Sequence, residues 1–374
     1  MMGRSDGRIK VVRLLPTLDF GGVESRAILQ AGLLDRERFD LRVCTFWRDG
    51  EAGAKIRALG VPVDVLDVDP SVRNPNATLA LWHYLHTQRP DVLHASISEA
   101  MFHGAWASYA AGVPLRIIEE VGRPTRSQAG HVAFAAISML VNRVVGVSQI
   151  TCDYLIKEDR MAAERVRLIY NCGKPEYFAQ PPVERLRAPD APLRIFTAGR
   201  LVPVKNHSAL LDVMAELVLV RGLNVRLEIA GDGPLREELA ARIRALGLSA
   251  HVMLLGFRDD IRALLDASDV FVLPSFDEGC SVALIEAMAS GILVVGSTAG
   301  GILEVLGELS ANYAIPASDI QGWADVLERI YHLPAAARHT LGQQARHIAE
   351  ERFSPARYIK NLEDMYMESR RATR

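Results

Sequence analysis

Short apolar runs alternate along the chain with stretches in which apolar residues recur every third or fourth position. Runs rich in Val, Ile and Leu predict strands at Ile9–Leu15, Leu41–Phe46, Val61–Leu66, Asp91–Ala95, Leu115–Ile118 and Arg143–Val147. Between them the spacing turns helical: Val23, Ala27, Ile28, Ala31 and Leu34 share one face. The pattern breaks at Gln180–Pro192, where four prolines and several charges predict a linker. It then restarts. Strands are expected at Leu193–Ala198, Val225–Ala230, Val252–Leu255, Val270–Leu273 and Leu293–Val295, and helices at Ser208–Arg221, Leu235–Leu246, Ile261–Ala267 and Val282–Ser290. From Asp319 onward the tail is helical and amphipathic. Strand–helix alternation with short connections implies mainly parallel sheets covered on both faces. The expected fold is α/β, with two Rossmann-like doubly wound domains facing across a cleft. The first spans 1–180, a linker 181–192, and the second 193–353.

A chain of 374 residues has room for two such domains, and 49% hydrophobic against 24% charged residues suits soluble cores. Lys plus Arg number 43 against 45 Asp plus Glu, so nothing suggests a nucleic-acid partner held by its phosphates. Cys44, Cys152, Cys172 and Cys280 are far apart and form no C-x-x-C pair, which argues against a disulfide scaffold or a structural zinc and for the cytoplasm. The polar start MMGRSDGRIK does not read as a signal peptide. The longest apolar candidate, Val132–Val147, is broken by Ser138, Asn142 and Arg143; it predicts a buried helix running into a strand rather than a membrane span.

Three glycine clusters fall where strands should end: Gly21-Gly22, Gly231-Asp232-Gly233 and Gly300-Gly301. None completes G-x-G-x-x-G, since Arg236 stands at the third glycine position, and no P-loop is present, so dinucleotide and P-loop chemistries are demoted. Gly231–Gly233 reads as a tight turn. Gly21-Gly22 joins the first strand to the first helix, where exposed amides can bind an anion. Arg200 and Lys205 follow the first strand of the second half; two cations in such a loop can neutralise a diphosphate without a metal, although any isolated pair is more simply a solvated one. Glu278 lies in a post-strand loop and Glu286 eight positions later, within the apolar stretch Val282–Ala289. A carboxylate accepts from sugar hydroxyls and bridges a vicinal diol. Glu278 alone would be read as an acid at a helix start, but a buried Glu286 needs a partner. Metal readings fare poorly: Asp67-Val-Asp69 reads as a loop, and His83 and His86 as solvent-facing residues without a third ligand.

From Arg194 to Leu306 these residues resemble the donor-binding half of the family 4 retaining glycosyltransferases, which have the GT-B fold. The resemblance rests on Gly199-Arg200 with Lys205, Gly231-Asp232-Gly233-Pro234, Val252–Gly256, Glu278-x7-Glu286, Gly291-Ile-Leu-Val-Val and Gly300-Gly301. The first half is similar more loosely, through Gly21-Gly22-Val-Glu24, Asp91-Val-Leu-His94, Val147-Ser148 and Ile169-Tyr-Asn171. It implies that Arg200 and Lys205 hold the donor diphosphate, Glu286 the ribose hydroxyls and Glu278 those of the transferred sugar. Amides from Gly279 through Cys280 and Ser281 to Val282 would meet the sugar and distal phosphate, the Gly22 amide would complete the phosphate site, and Gly256, Phe257 and Arg258 would border the nucleobase. The final segment, 354–374, would pack back on the first domain. The chain departs from relatives at Glu120, where a histidine is frequent, at Cys172-Gly173-Lys174 and at Ser281; the first two bear on the acceptor side.

The expected activity is sugar transfer from a nucleoside-diphosphate sugar, UDP being the commonest base, to a hydroxyl acceptor with retention, and without metal or cofactor. Glu120 would orient the acceptor; its bland reading is a surface acid beside Glu119. The acceptor could be a cell-surface glycan, a glycolipid or a small glycoside, with peripheral rather than spanning contact at a membrane. Two alternatives stay open, a sugar-nucleotide 2-epimerase of the same architecture and a non-catalytic sugar-nucleotide sensor. Oligomeric state is left open as well.

Overall fold

The computed structural model describes residues 7–19, 21–122, 126–183 and 191–372. Most of the proline-rich stretch expected as a linker (184–190) and the polar start (1–6) lie outside the described residues. The chain divides into two compact units, 1–171 with 355–374, and 172–354.

The first unit holds strands β1 (Ile9–Leu15), β2 (Phe39–Thr45), β3 (Val63–Val65), β4 (Val92–Ser96), β5 (Leu115–Glu120), β6 (Arg143–Gly146) and β7 (Val166–Leu168). All pair in parallel, in the order β3-β2-β1-β4-β5-β6-β7. Its helices are α1 (Gly22–Leu33), α2 (Gly50–Ala58), α3 (Pro75–Gln88), α4 (Ser98–Ala110), α5 (Gln128–Leu140) and α6 (Gln149–Lys157). Successive strand residues point to opposite faces. Val12, Leu14, Leu93 and Ile118 therefore pack on one side with Leu81, Leu85, Ala105 and Phe134 of α3, α4 and α5. The intervening Arg13, His94 and Glu119 turn to the other side, under α1. Pro355–Tyr366, a helix near the C-terminus, also belongs here: the Tyr366 hydroxyl accepts from Gln30 Nε2 at 2.7 Å and lies 2.8 Å from His94 Nδ1.

The second unit holds β8 (Leu193–Ala198), β9 (Val225–Ala230), β10 (Val252–Gly256), β11 (Val270–Leu273), β12 (Leu293–Ser297) and β13 (Ala314–Ile315), again parallel, in the order β10-β9-β8-β11-β12-β13. Helices α7 (Pro175–Ala179), α8 (His207–Ala215), α9 (Arg236–Ala245), α10 (Ile261–Ala267), α11 (Val282–Ala289) and α12 (Gly301–Leu306) cover it, followed by Ile320–His332 and Ala335–Phe353. Residues from Cys172 onward pack here, ahead of the proline-rich stretch. Arg346 donates to the carbonyls of Phe178 and Gln180, both at 2.7 Å, and Arg262 to that of Tyr177 at 3.1 Å.

The strand pattern was legible except for β7 and β13, which are only three and two residues long and carry too few side chains for a period. One expectation is corrected. The apolar stretch Val132–Val147 does run from helix into strand, but α5 is not a buried helix: Val132 and Met139 are 71% and 74% exposed. No described helix is long and apolar enough to cross a membrane.

Candidate functional site

In doubly wound sheets the loops leaving two neighbouring strands diverge where the strand order reverses, and ligands bind there, at the carboxyl edge. In the second sheet that point lies between β8 and β11. The loop after β8 carries Arg200 and Lys205; the loop after β11 carries Ser275 and Glu278. Topology thus brings together residues more than seventy positions apart. Lys205 Nζ donates to Glu278 Oε1, and Ser275 Oγ donates to the same oxygen at 2.9 Å. Ser275 is fully buried, and its carbonyl accepts from Ser297 Oγ at 2.6 Å. The two loops are also tied by the Phe276 amide to Val204 carbonyl bond (2.8 Å) and by Asn206 Nδ2 donating to the Pro274 carbonyl (3.2 Å). Arg200 is exposed at the strand end.

Two glycine clusters hold these loops by close approach. A Cβ on Gly231 would lie 1.9 Å from the Gly199 carbonyl oxygen, and one on Gly301 would lie 1.7 Å from that of Gly279. The Gly301 amide donates to the Glu278 carbonyl at 2.8 Å. The turn at Gly231–Gly233 is therefore a buttress for the Arg200 loop, and no side chain fits in its place.

Ser281 stands at the start of α11 and Glu286 on its second turn, 7% exposed. The Lys174 amide donates to Glu286 Oε1 at 3.4 Å, and a Cβ on Gly173 would come within 3.1 Å of Glu286 Cγ. The unusual Cys172-Gly173-Lys174 segment thus lies against the residue expected to hold ribose. Burial pushes the Glu286 carboxyl up to about 7, against the opposing charge of Lys174. An acid raised in this way lends the fold full stability only below its unfolded value, and that stability is lost as pH rises towards 7. Glu286→Gln removes the ionising group, so the ligand-free variant should melt higher than wild type at pH 8 and no higher at pH 4.5. A variant that melts lower at both pH values would show that the carboxylate is structural.

Gly256 ends β10, where its carbonyl accepts from the Gly231 amide at 2.8 Å, and Phe257 and Arg258 follow it. Phe257 is 62% exposed, and Arg258 Nε donates to Asp260 Oδ1 at 2.7 Å. Gly279 borders the loop, while Cys280 and Ser281 are buried and Val282 opens α11.

In the first sheet the order reverses between β1 and β4, and Gly22 stands exposed as the first residue of α1 at that edge. One turn further, Arg26 Nη1 donates to Glu119 Oε1 at 2.8 Å and to Asn171 Oδ1 at 2.6 Å. Arg13 Nη2 donates to Glu119 Oε2 at 2.6 Å, and Ser96 Oγ donates to that oxygen as well. Burial opposes ionisation, yet Arg26 and Arg13 hold the Glu119 carboxyl well below the usual carboxylate range. This network was not foreseen. Its one signal was the alternation in Leu115–Glu120, which must turn one of two adjacent acids inward on each face. Glu120 faces the α5 side, pairs with Arg126, and is pushed by burial up to about 7. It is not the surface acid of the bland reading, being 8% exposed. Asp67 and Asp69 lie exposed in the loop after β3, and His83 and His86 are exposed on α3.

Two doubly wound parallel units, the second with a cation–carboxylate pair at its switch point, define a GT-B protein of the sugar-transferring class. Residues 20–176 match the family described as Glycosyltransferase Family 4, and residues 183–348 match Glycosyl transferases group 1. The chain is 24% identical to the UDP-Gal:alpha-D-GlcNAc-diphosphoundecaprenol alpha-1,3-galactosyltransferase of Escherichia coli, over 98% of this chain and 99% of that protein. It is 26% identical to the alpha-D-kanosaminyltransferase of Streptomyces kanamyceticus, over 70% and 68% respectively. The crystal structure of Anabaena Alr3699/HepE in complex with UDP and glucose superposes with a TM-score of 0.81 at 22% identity, covering 96% of this chain and 99% of that one. The chain belongs to the family 4 glycosyltransferases.

Proposed function

We propose that the protein transfers a sugar from a UDP-sugar to a hydroxyl of a glycan or glycolipid acceptor, with retention of anomeric configuration. The observation that carries this is the Lys205–Glu278–Ser275 constellation at the second unit's switch point, with Glu286 following on α11. Lys205 and Arg200 meet the charge that develops on the leaving diphosphate, the step where preorganised donors act most strongly. Glu278, oriented by Lys205 and Ser275, accepts from hydroxyls of the transferred sugar. Glu286 accepts from the ribose diol, and the amides at the start of α11 offer further anion donors. In the front-face path the bond from the anomeric carbon to the diphosphate breaks as the acceptor oxygen bonds that carbon on the same side. The acceptor proton passes to the leaving phosphate oxygen. The reading of base and acceptor is supported by relatives: the E. coli enzyme is named for UDP-Gal and a diphosphoundecaprenol-linked acceptor, and HepE was crystallised with UDP and glucose.

A thermal-shift panel of UDP, GDP and ADP tests the base, because a ligand of the native state raises the midpoint. UDP should give the largest shift; an equal shift from all three would remove base recognition. UDP affinity should fall as pH drops below about 7, where Glu286 takes up its proton. Glu286→Gln should weaken UDP binding by roughly ten- to a hundredfold, the range for hydrogen bonds to a charged group. Because the charge is met by side chains, turnover should be unchanged in EDTA; a loss restored by a divalent ion would overturn the metal-independent path. Epimerisation of the UDP-sugar without acceptor would replace transfer by isomerisation.

A further inference from the structure

The helices α3, α4 and α5 lie side by side on one face of the first sheet. Glu99 is their only Asp, Glu, Lys or Arg. Surface helices normally carry charge on the outer face, and a helix apolar all round belongs inside a protein or against lipid. Here α5 buries Phe134 and Ile137 inward and yet presents Val132 and Met139 outward. Its neighbours add exposed Leu79 on α3 and Trp106 and Tyr109 on α4. An open groove of ≈ 770 Å³ runs between α3 and α4, with Trp82 and Phe102 in its walls. An apolar surface of this extent on a soluble unit marks an interaction site.

Arginines border it. Arg73 and Arg89 stand exposed just before and just after α3. The Arg116 guanidinium lies 5.5 Å from the centroid of the Tyr109 ring and donates to the Leu140 carbonyl at 2.6 Å, at the end of α5. Arg165 donates to the carbonyls of Ser138 and Val141 at the same end. An apolar centre with Trp and Tyr, rimmed by guanidinium groups, is complementary to acyl chains beneath a layer of phosphates. A two-fold pairing of this face with a second copy would set one arginine border near the other.

We propose that the α3–α4–α5 face docks on an anionic phospholipid bilayer. Leu79, Trp106, Val132 and Met139 enter the acyl boundary, and Arg73, Arg89 and Arg116 meet headgroup phosphates. The inference extends the glycolipid-acceptor reading, because it places the enzyme on the surface where such an acceptor resides.

The test is co-sedimentation with phosphatidylcholine vesicles with and without phosphatidylglycerol. It uses wild type, Trp106→Glu, Met139→Glu, and Leu219→Glu, an exposed leucine of the second unit, as control. UDP-sugar hydrolysis is followed on the same samples to show that each variant is folded and active. Wild type and Leu219→Glu should bind phosphatidylglycerol vesicles, while the two other variants should bind at least about tenfold more weakly, as expected for losing one buried large apolar side chain. Equal binding by all four proteins, or none by wild type, overturns the docking face. A dimer by sedimentation velocity that Trp106→Glu abolishes, without vesicle binding, assigns the face to a second copy and overturns it too. Hydrolysis without vesicle binding defeats the docking face alone; vesicle binding without any turnover of a nucleotide sugar defeats the transfer reading and leaves the face standing.

Discussion

Lys205→Ala should lower kcat by about 10²–10³-fold, the loss found when one preorganised donor to a developing charge is removed. Lys205 is bound to Glu278 before any donor arrives, so under the proposed mechanism the substitution acts twice: it removes the cation proposed to meet the leaving diphosphate, and it frees the carboxylate proposed to meet the sugar. Loss of the second effect alone can be read from Ser275→Ala, which leaves the cation and removes the other bond to Glu278 Oε1. Lys205→Ala should therefore reduce kcat far more than Ser275→Ala, and should retain the wild-type melting profile, since Lys205 and Glu278 are partly exposed. Initial rates with a UDP-sugar give the answer. A decrease smaller than about fivefold in Lys205→Ala would take Lys205 out of the mechanism.

Glu119→Ala should destabilise the first unit by about 3–5 kcal/mol, because it leaves two guanidinium groups buried without their shared carboxylate. Both partners are almost inaccessible: Arg13 is 0% and Arg26 4% exposed. Neither can shed its charge at neutral pH. The pH dependence follows from the lowered carboxyl value. A carboxylate of this kind stabilises the fold above its unfolded pKa of about 4.3, and that contribution is lost as pH falls through the lower folded value. The gap in melting temperature between wild type and Glu119→Ala should stay constant from pH 8 to pH 5 and narrow only in stronger acid. A constant gap down to pH 2 would show that packing, and not the charge, is what the substitution removes. Glu119→Gln should fall between the two, since an amide can still accept from one arginine.

Adjacent acids show how far reading a strand can go. Leu115-Arg-Ile-Ile-Glu-Glu predicts a strand, and its alternation places Glu119 and Glu120 on opposite faces. What the run does not contain is the partners: Arg13 comes from β1, Arg26 from α1 and Arg126 from the segment before α5. Which acid is buried with two cations, and which with one, depends on the helices that close over each face. For the same reason Lys174 could not be paired with Glu286 from spacing. The chain between them, from Pro175 to Ile285, folds as most of a sheet and its helices before the two meet.

The outer surface of α5 is a different lesson. Its composition reads as a core helix, because apolar content reports that a helix must be covered and not by what. Only the packed structure shows that the sheet covers one side and leaves Val132 and Met139 outward.

Local order was determined by the sequence: the alternation of short apolar strands with helical periods, the doubly wound class, the glycine turns and the residue types of the proposed donor site. These depend on interactions within a few residues or on the two-residue and 3.6-residue periods, which are written along the chain. The tertiary structure alone decided the pairings: Lys205 with Glu278, Glu286 against Cys172-Gly173-Lys174, and Glu119 between Arg13 and Arg26. Such contacts join residues far apart in the chain, and strand order rather than spacing brings them together.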